Sequence, residues 1–418
     1  MELYGNIPSG WHLKKVKEVS VTYSGGTPPR ADESFYHGNI PWVKSSELKE
    51  KYLYDTEEKI NEKAIRNSST RYVEADTVLF ALYGATSGDM TILKIKACMN
   101  QAVLCIPIIE KKKYNTEFLF YALKFLTPKL IEISQGGGQP NLTKGIIDKT
   151  KILFPKKAEE QQYIADILTK VDEAITTTKE TIAKAERLKK SLVQNLLSGK
   201  LKADGSWRKE KEFYKDEKFG NTPIGWHWGR LSEIADVIAG QSPAGEFYND
   251  EGKGIPMLNG PTEFTDHHPI PVQYTTKRTK LCEVGDILFT VRGSSTGRMN
   301  IADQQYCIGR GIAAIRNKKG SDIDFIYYTL ITIAEKILAE ARGSGTTFPN
   351  VNRGELLKKS VLIPESEQEE IAKKIKSVDA ILNSKQTKIK KLERLKKALM
   401  QNLLTGKVRV KIQKLQTQ

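Results

Sequence analysis

The stretch Arg292-Gly293-Ser294-Ser295-Thr296-Gly297-Arg298 sets two guanidinium groups around a run of hydroxyls held between glycines. Guanidinium forks suit phosphates and the acceptor edge of guanine. Gly/Ser/Thr loops bring backbone N–H groups close to phosphates. A matching stretch, Tyr83-Gly84-Ala85-Thr86-Ser87-Gly88, keeps the glycines and hydroxyls but has no arginine. A second pair of loops offers Gln139, Asn141 and Lys144, then Thr346, Asn350 and Asn352. The turns at Gly25-Gly26-Thr27 and Gly240-Gln241-Ser242, with Lys44 and Asn259, have a weaker claim. Asn and Gln suit the edge of adenine, as Arg and Lys suit guanine. Any one of these residues is equally well part of an ordinary solvated turn.

Bond-making chemistry has less support. His12 and His227 each follow a tryptophan, but no Ser, Cys or carboxylate partner is repeated nearby, which favours a structural role. Trp11 and Trp226 read as core anchors rather than stacking platforms. Thr27-Pro28-Pro29-Arg30 is not the Asp/Asn-Pro-Pro-Tyr/Phe motif of adenine methyltransferases. Gly199-Lys200 is followed by Leu201, so there is no phosphate-binding P-loop, and no nuclease constellation stands out. Cys98, Cys105, Cys282 and Cys307 form no C-x-x-C pair, and with five histidines they argue against a structural zinc. They read as reduced, buried thiols.

Lys+Arg 66 against Asp+Glu 50 gives a net charge of +16, which favours a polyanionic partner through counterion release. At 418 residues and 39% hydrophobic content, the chain suits two to four domains. No apolar run approaches the roughly 18–20 residues of a membrane span. Met1 to Trp11 lacks a signal-peptide pattern. A soluble, cytoplasmic protein is expected, with no membrane role.

What positions the loops is a repeat. Glu186-Arg187-Leu188-Lys189-Lys190 returns as Glu393-Arg394-Leu395-Lys396-Lys397, and Gln194 to Lys200 returns as Gln401 to Lys407, both at an offset of 207. Pro8-x-Gly10-Trp11-His12 returns as Pro223-x-Gly225-Trp226-His227 at 215. Leu79-Phe80, Gly84, Gly88 and Pro140-Asn141 return as Leu288-Phe289, Gly293, Gly297 and Pro349-Asn350 at 209. Segments 159–200 and 366–407 are close copies, while the segments between have diverged. Alike scaffolds with unlike reading surfaces would look this way, and so would independent drift of two surface-rich domains.

The conserved segments read as long helices. Their apolar residues step mostly by threes and fours, with a slip of phase near Leu188 in the first copy: Ile164, Leu168, Val171, Ile175, Ile182, Leu192 and Leu196, then Ile371, Ile375, Val378, Leu382, Ile389, Leu392, Leu399 and Leu403. That is the stripe of a coiled coil. Gly199 and Gly406 stop the helices. Lys184, Lys189, Lys190, Lys390, Lys391, Lys396 and Lys397 lie on their outer faces, exposed to solvent, phosphates or a subunit. The remainder mixes β-rich runs (Thr77 to Phe80, Asp286 to Val291) with helical runs (Thr116 to Ile133, Asp324 to Ala341). The sequence thus predicts globules at 1–158 and 219–365, long helices at 159–200 and 366–407, a charged linker at 201–218 and a basic tail at 408–418.

The order globule, rod, globule, rod makes the second rod return along the first if their stripes bury each other. An antiparallel pair with an approximate two-fold axis follows. Forty helical residues span roughly 60 Å, enough to set half-sites on a duplex one or two turns of about 34 Å apart.

In this doubled pattern the chain resembles the specificity (S) subunits of type I restriction-modification systems. The resemblance covers nearly the whole length. Besides the motifs above, it includes Pro155 with Glu160-Gln161 and Pro364 with Glu367-Gln368 at the helix starts. Each motif alone is weak; the same set in the same order twice is specific. The resemblance implies an α+β fold: two pseudo-symmetric α/β globular target-recognition domains joined by two long helices in an antiparallel coiled coil. It implies that each domain reads one part of a bipartite double-stranded DNA site. The helices would dock two methyltransferase (M) subunits that methylate adenine N6, and restriction (R) subunits would complete a nuclease. S-adenosylmethionine, Mg²⁺ and ATP would belong to those partners, leaving this chain without catalysis. The competing reading is a two-headed coiled-coil adaptor with no DNA role, which the +16 charge disfavours.

Overall fold

The computed structural model describes residues 6–134, 142–343 and 349–410. Two compact units emerge: residues 1–179 with 387–418, and residues 180–386. Each long helix therefore gives one half to each unit.

In the first unit a buried strand, Thr77–Ala81, is central. Its side chains alternate, as strand geometry requires. Val78 and Phe80 enter a core with Phe118, Leu119 and Phe154, whereas Leu79 and Ala81 enter a second cluster with Val43, Val103 and Cys105. Burial on both faces explains the unbroken apolar run. This strand pairs antiparallel with Val103–Ile106 and Met90–Leu93 inside a five-stranded sheet. A three-stranded sheet centres on Ile40–Val43, which runs parallel to Cys98–Met99. The helix Thr116–Ser134 supplies Phe118 to Leu130 to the larger core. Trp11–Lys15 pairs with Lys151–Pro155, so Trp11 sits opposite Pro155 just before the long helix begins.

The second unit repeats this plan. Ile287–Thr290 lies between Ile312–Asn317 and Met299–Ile301, and Ile255–Leu258 runs parallel to Cys307–Ile308. Ile323–Gly343 is the domain helix, and Trp226–Arg230 pairs with Ser360–Pro364. Trp11 and Trp226 are buried, as expected. So are the four cysteines. Burial pushes the thiols of Cys98, Cys105 and Cys282 up to about 11, 12 and 12.

One segment departs from expectation. Residues 201–218 are not a linker but a folded part of the second unit. Leu201 is buried and bridges to Trp207, and Phe213–Asp216 forms a hairpin with Gly220–Pro223. The segment is poor in aliphatics, but Leu201 and Ala203 pack on the second core, and the Lys202–Glu212 (2.6 Å) and Arg208–Glu367 ion pairs hold the rest. No helix among the described residues is long and apolar enough to cross a membrane.

The long helices run Ala158–Leu197 and Gln368–Leu403. They stop two and three residues, respectively, before a glycine with positive φ: Gly199 at 66° and Gly406 at 67°. The N–H of Gly199 donates to Leu196 and that of Leu201 to Asn195. Gly406 and Val408 repeat the pattern on Leu403 and Asn402. A side chain at either glycine would also press on a proline, Pro223 or Pro8. The apolar stripe is not wholly a helix–helix seam. Ile164, Leu168 and Leu403 enter the first domain's core, and Leu196, Ile371 and Ile375 enter the second's.

Within each unit the two helix segments run antiparallel, fixed by matching polar contacts. In the first unit, Glu160 at the start of one helix is buried and accepts both arms of Arg409 (2.7 and 2.9 Å), which follows the other helix. Three turns on, Asp172 pairs with Lys396 and accepts the Tyr121 hydroxyl at 2.8 Å. In the second unit Arg208 pairs with Glu367, Lys189 with Asp379 (2.6 Å), and the Tyr328 hydroxyl donates to Asp379 at 2.7 Å. Arg409 and Arg208 also lie over the rings of Trp11 and Trp226, at 5.8 and 5.2 Å. Lys189 and Lys396, expected on open faces, are thus engaged.

Arg409→Ala would leave the Glu160 carboxylate buried without its cation. The arginine is about half exposed, so the expected loss is about 1–3 kcal/mol rather than the larger figure for a fully buried pair. Urea unfolding should show it as a lowered midpoint, and an unchanged midpoint would contradict the clamp.

Candidate nucleic-acid interface

The candidate loops fall along one rim of each domain, joined by backbone hydrogen bonds. In the second unit the N–H of Gln241 donates to Ile308, and the N–H of Gly309 to Leu258, beside Asn259. The N–H of Val291 donates to Gly311, that of Gly293 to Pro349, and that of Val351 to Val291. Arg292 and Asn350 form a backbone bridge. Turns far apart in sequence (near 241, 259, 292, 310 and 350) therefore become neighbours.

The first unit is wired alike. Asn100 N–H donates to Val43, beside Lys44; Leu82 N–H donates to Ala102; Leu142 N–H donates to Leu82; Gly26 N–H donates to Met99. The glycines make this packing possible. A Cβ at Gly25 would overlap the carbonyls of Met99 and Asn100, and one at Gly240 would overlap the Gly309 carbonyl.

The two Gly loops are hairpin connections of one shape. Gly84 and Gly293 both have φ of 83°, and Gly88 and Gly297 have 91° and 94°, conformations open to glycine at little cost. Ser87 donates its hydroxyl to Leu82 O (3.1 Å), and Thr296 donates to Gly293 O (2.8 Å). A side chain at Gly88 would run into Thr127 and Ile131 of the domain helix, so the loop is seated on that helix.

The candidates separate by what else they hold. Arg298 spends its guanidinium on the carbonyls of Pro261 (3.2 Å) and Phe264 (2.8 Å). Asn352 caps the short helix Arg353–Leu357, accepting from Glu355 N–H at 2.9 Å. Lys44 lies 3.0 Å from both Glu57 and Glu58, which hold its ammonium above the ordinary lysine range. Asn259 donates to Gln273 at 2.6 Å, Thr27 donates to Gln101, and Lys144 pairs with Asp148 at 2.5 Å. Tyr83, Gln241, Arg292, Ser294 and Asn350 are exposed on the rim, with Gly84, Thr86, Gly293 and Ser295 partly exposed beside them. Among the described residues the Arg292 guanidinium has no polar partner. Gln139, Asn141 and Thr346 lie outside the described residues.

The sequence reading missed the turn that joins these loops, Asn100-Gln101-Ala102 in one unit and Gly309-Arg310-Gly311 in the other. The signal available was an arginine between two glycines. The repeated histidines do not form a repeated site: His12 lies 3.4 Å from the Tyr114 hydroxyl, His227 lies 3.2 Å from Glu233. Among the described residues no group of three or more His, Cys, Asp or Glu is placed to hold a metal ion.

Each unit thus presents a hydrogen-bonded backbone rim with projecting polar side chains, and the plan is built twice. Comparison with known proteins agrees. A family model described as the type I restriction modification DNA specificity domain matches twice, over residues 8–187 and 223–394. The chain is 35% identical over 309 residues to a putative type I restriction enzyme MjaX specificity subunit of Methanocaldococcus jannaschii, covering 72% of this chain and 70% of the relative. It is 28% identical to the MjaIX specificity subunit of the same organism, covering 97% and 95%. Its fold is shared with the S subunit of a type I restriction-modification system from M. genitalium (TM-score 0.63, 16% identity, covering 97% and 98%). The chain belongs to the type I restriction-modification DNA specificity family, and it carries that family's domain in two copies.

Proposed function

We propose that this chain selects the DNA sequence on which a type I restriction-modification complex acts. Each domain reads one half of a bipartite duplex site. The observation that carries this reading is the doubled rim, on which two domains share a backbone scaffold and differ in the side chains displayed. Readers of double-stranded DNA match protein symmetry with spaced half-sites, and unlike side chains on like scaffolds give an asymmetric, split sequence. Arg292, Tyr83, Gln241 and Asn350 are the best placed of the candidates. Arg298, Asn352 and Lys44 shape the rim rather than touch bases.

The long helices fix the interval between half-sites, and their closely copied outer faces dock two methyltransferase subunits. S-adenosylmethionine, Mg²⁺ and ATP act on those subunits and on restriction subunits, and the complex works in the cytoplasm where the genome lies. The adaptor reading without DNA accounts for neither the doubled rim nor the family.

Purified alone, the chain should transfer no labelled methyl group to unmodified DNA and should support transfer once its methyltransferase subunit is added. Robust transfer by the chain alone would end the non-catalytic assignment. Replacing residues 201–365 by the matching segment of a relative should alter one half of the recognised site, and a change in both halves would refute modular reading. Four residues inserted into both long helices, after Lys179 and after Gln386, add about 6 Å of helix. The gap between half-sites should widen by about one or two base pairs, given about 3.4 Å per pair, and a constant gap would refute the ruler.

A further inference from the structure

The turn missed by sequence reading occupies the same place in each rim, and its wiring is the same twice. Ile312 N–H donates to Gly309 O (3.0 Å), as Val103 N–H donates to Asn100 O (3.2 Å). Gly309 N–H reaches Leu258 O (2.8 Å), as Asn100 N–H reaches Val43 O (2.9 Å). The carbonyls of Gly311 and Ala102 accept from Val291 and Leu82, each at 2.9 Å. Arg310 N–H is held further by the Ser242 hydroxyl at 3.2 Å. The flanking glycines are forced: a Cβ at Gly309 or Gly311 would overlap Asn259. The backbone wiring is constant while the residues differ, Gly309-Arg310-Gly311 in one domain and Asn100-Gln101-Ala102 in the other, with Arg310 and Gln101 at the tips.

We infer that the tip residue selects a purine in its half-site, guanine for Arg310 and adenine for Gln101. This rests on the DNA-reading function proposed above. Arg310 is exposed, and among the described residues its guanidinium has no partner, so all its donors remain for the O6 and N7 acceptors of guanine. Gln101 is also exposed. Its Oε1 accepts from Thr27, which fixes which end of the amide accepts and leaves Nε2 free to donate. An amide held that way offers a donor for adenine N7 and an acceptor for adenine N6. The backbone beneath both side chains is pinned, so little conformational freedom is lost when they engage. Arg298, the other arginine of the same rim, is bound to carbonyls and lacks this freedom.

The test is genome-wide mapping of methylated adenines in the host carrying the full-length gene, wild type or substituted. Arg310→Gln should convert one guanine of one half-site to adenine, with a preference of roughly tenfold or more at that position. Gln101→Arg should convert one adenine to guanine in the other half, and Arg310→Ala should lose discrimination at the same single position. An unaltered motif in Arg310→Gln and Gln101→Arg, or a change spread over both halves from either, would overturn the assignment. A variant that abolishes methylation is examined by selecting duplexes from a randomised library on the purified chain. The same single-position switch is then required, and its absence overturns the assignment. If deleting the gene leaves genomic methylation as it was, the proposed function fails and not merely the choice of residues.

Discussion

Each domain is closed by a carboxylate at the base of a long helix whose counter-charge comes from far away in the chain. Glu160 lies at the base of a long helix, almost sealed from solvent, and its counter-charge Arg409 arrives from nearly 250 residues later in the chain. Glu367 depends in the same way on Arg208, whose side chain is itself buried. A carboxylate at a helix N-terminus is favourable, but a sealed one without its partner is costly. The positive-φ glycines, the prolines that press on them and the tryptophan beneath each arginine serve the same junction. The Tyr–Asp–Lys contacts three turns further on fix the register of the two helix segments in each unit. Because each of these junction ion pairs takes one member from each copy of the repeat, neither copy completes the junction alone.

Apart from the two arginines, these junction residues recur along the repeat, which explains why the architecture was legible. Constant offsets revealed the duplication, and threes and fours of apolar residues revealed the helices. The strand at Thr77 was readable from an apolar run because both its faces are buried. The segment 201–218 was misread because its order comes from a hairpin, ion pairs and one or two small apolar contacts, and a count of aliphatics overlooks them.

The interface was legible only in part. Residue types pointed to loops that the fold brings together, but type does not reveal prior commitment. Arg298, Asn352 and Lys44 carry suitable groups and spend them on carbonyls, a helix cap and two glutamates. The adjacency of the loops arises from main-chain hydrogen bonds, which leave no trace in side-chain identity beyond a few obligatory glycines. Arg310 was overlooked for that reason: its importance lies in its position on the wired rim.

The wiring of that rim also bears on how such a protein changes over generations. Its tips hang on bonds between main-chain atoms, which every amino acid except proline supplies in full. An exposed residue there can be exchanged by a single nucleotide change with little demand on the core or on the paired helices. Folding and target choice are thereby separated within one domain, and a lineage can acquire a new address in the genome without having to reinvent the molecule that carries it.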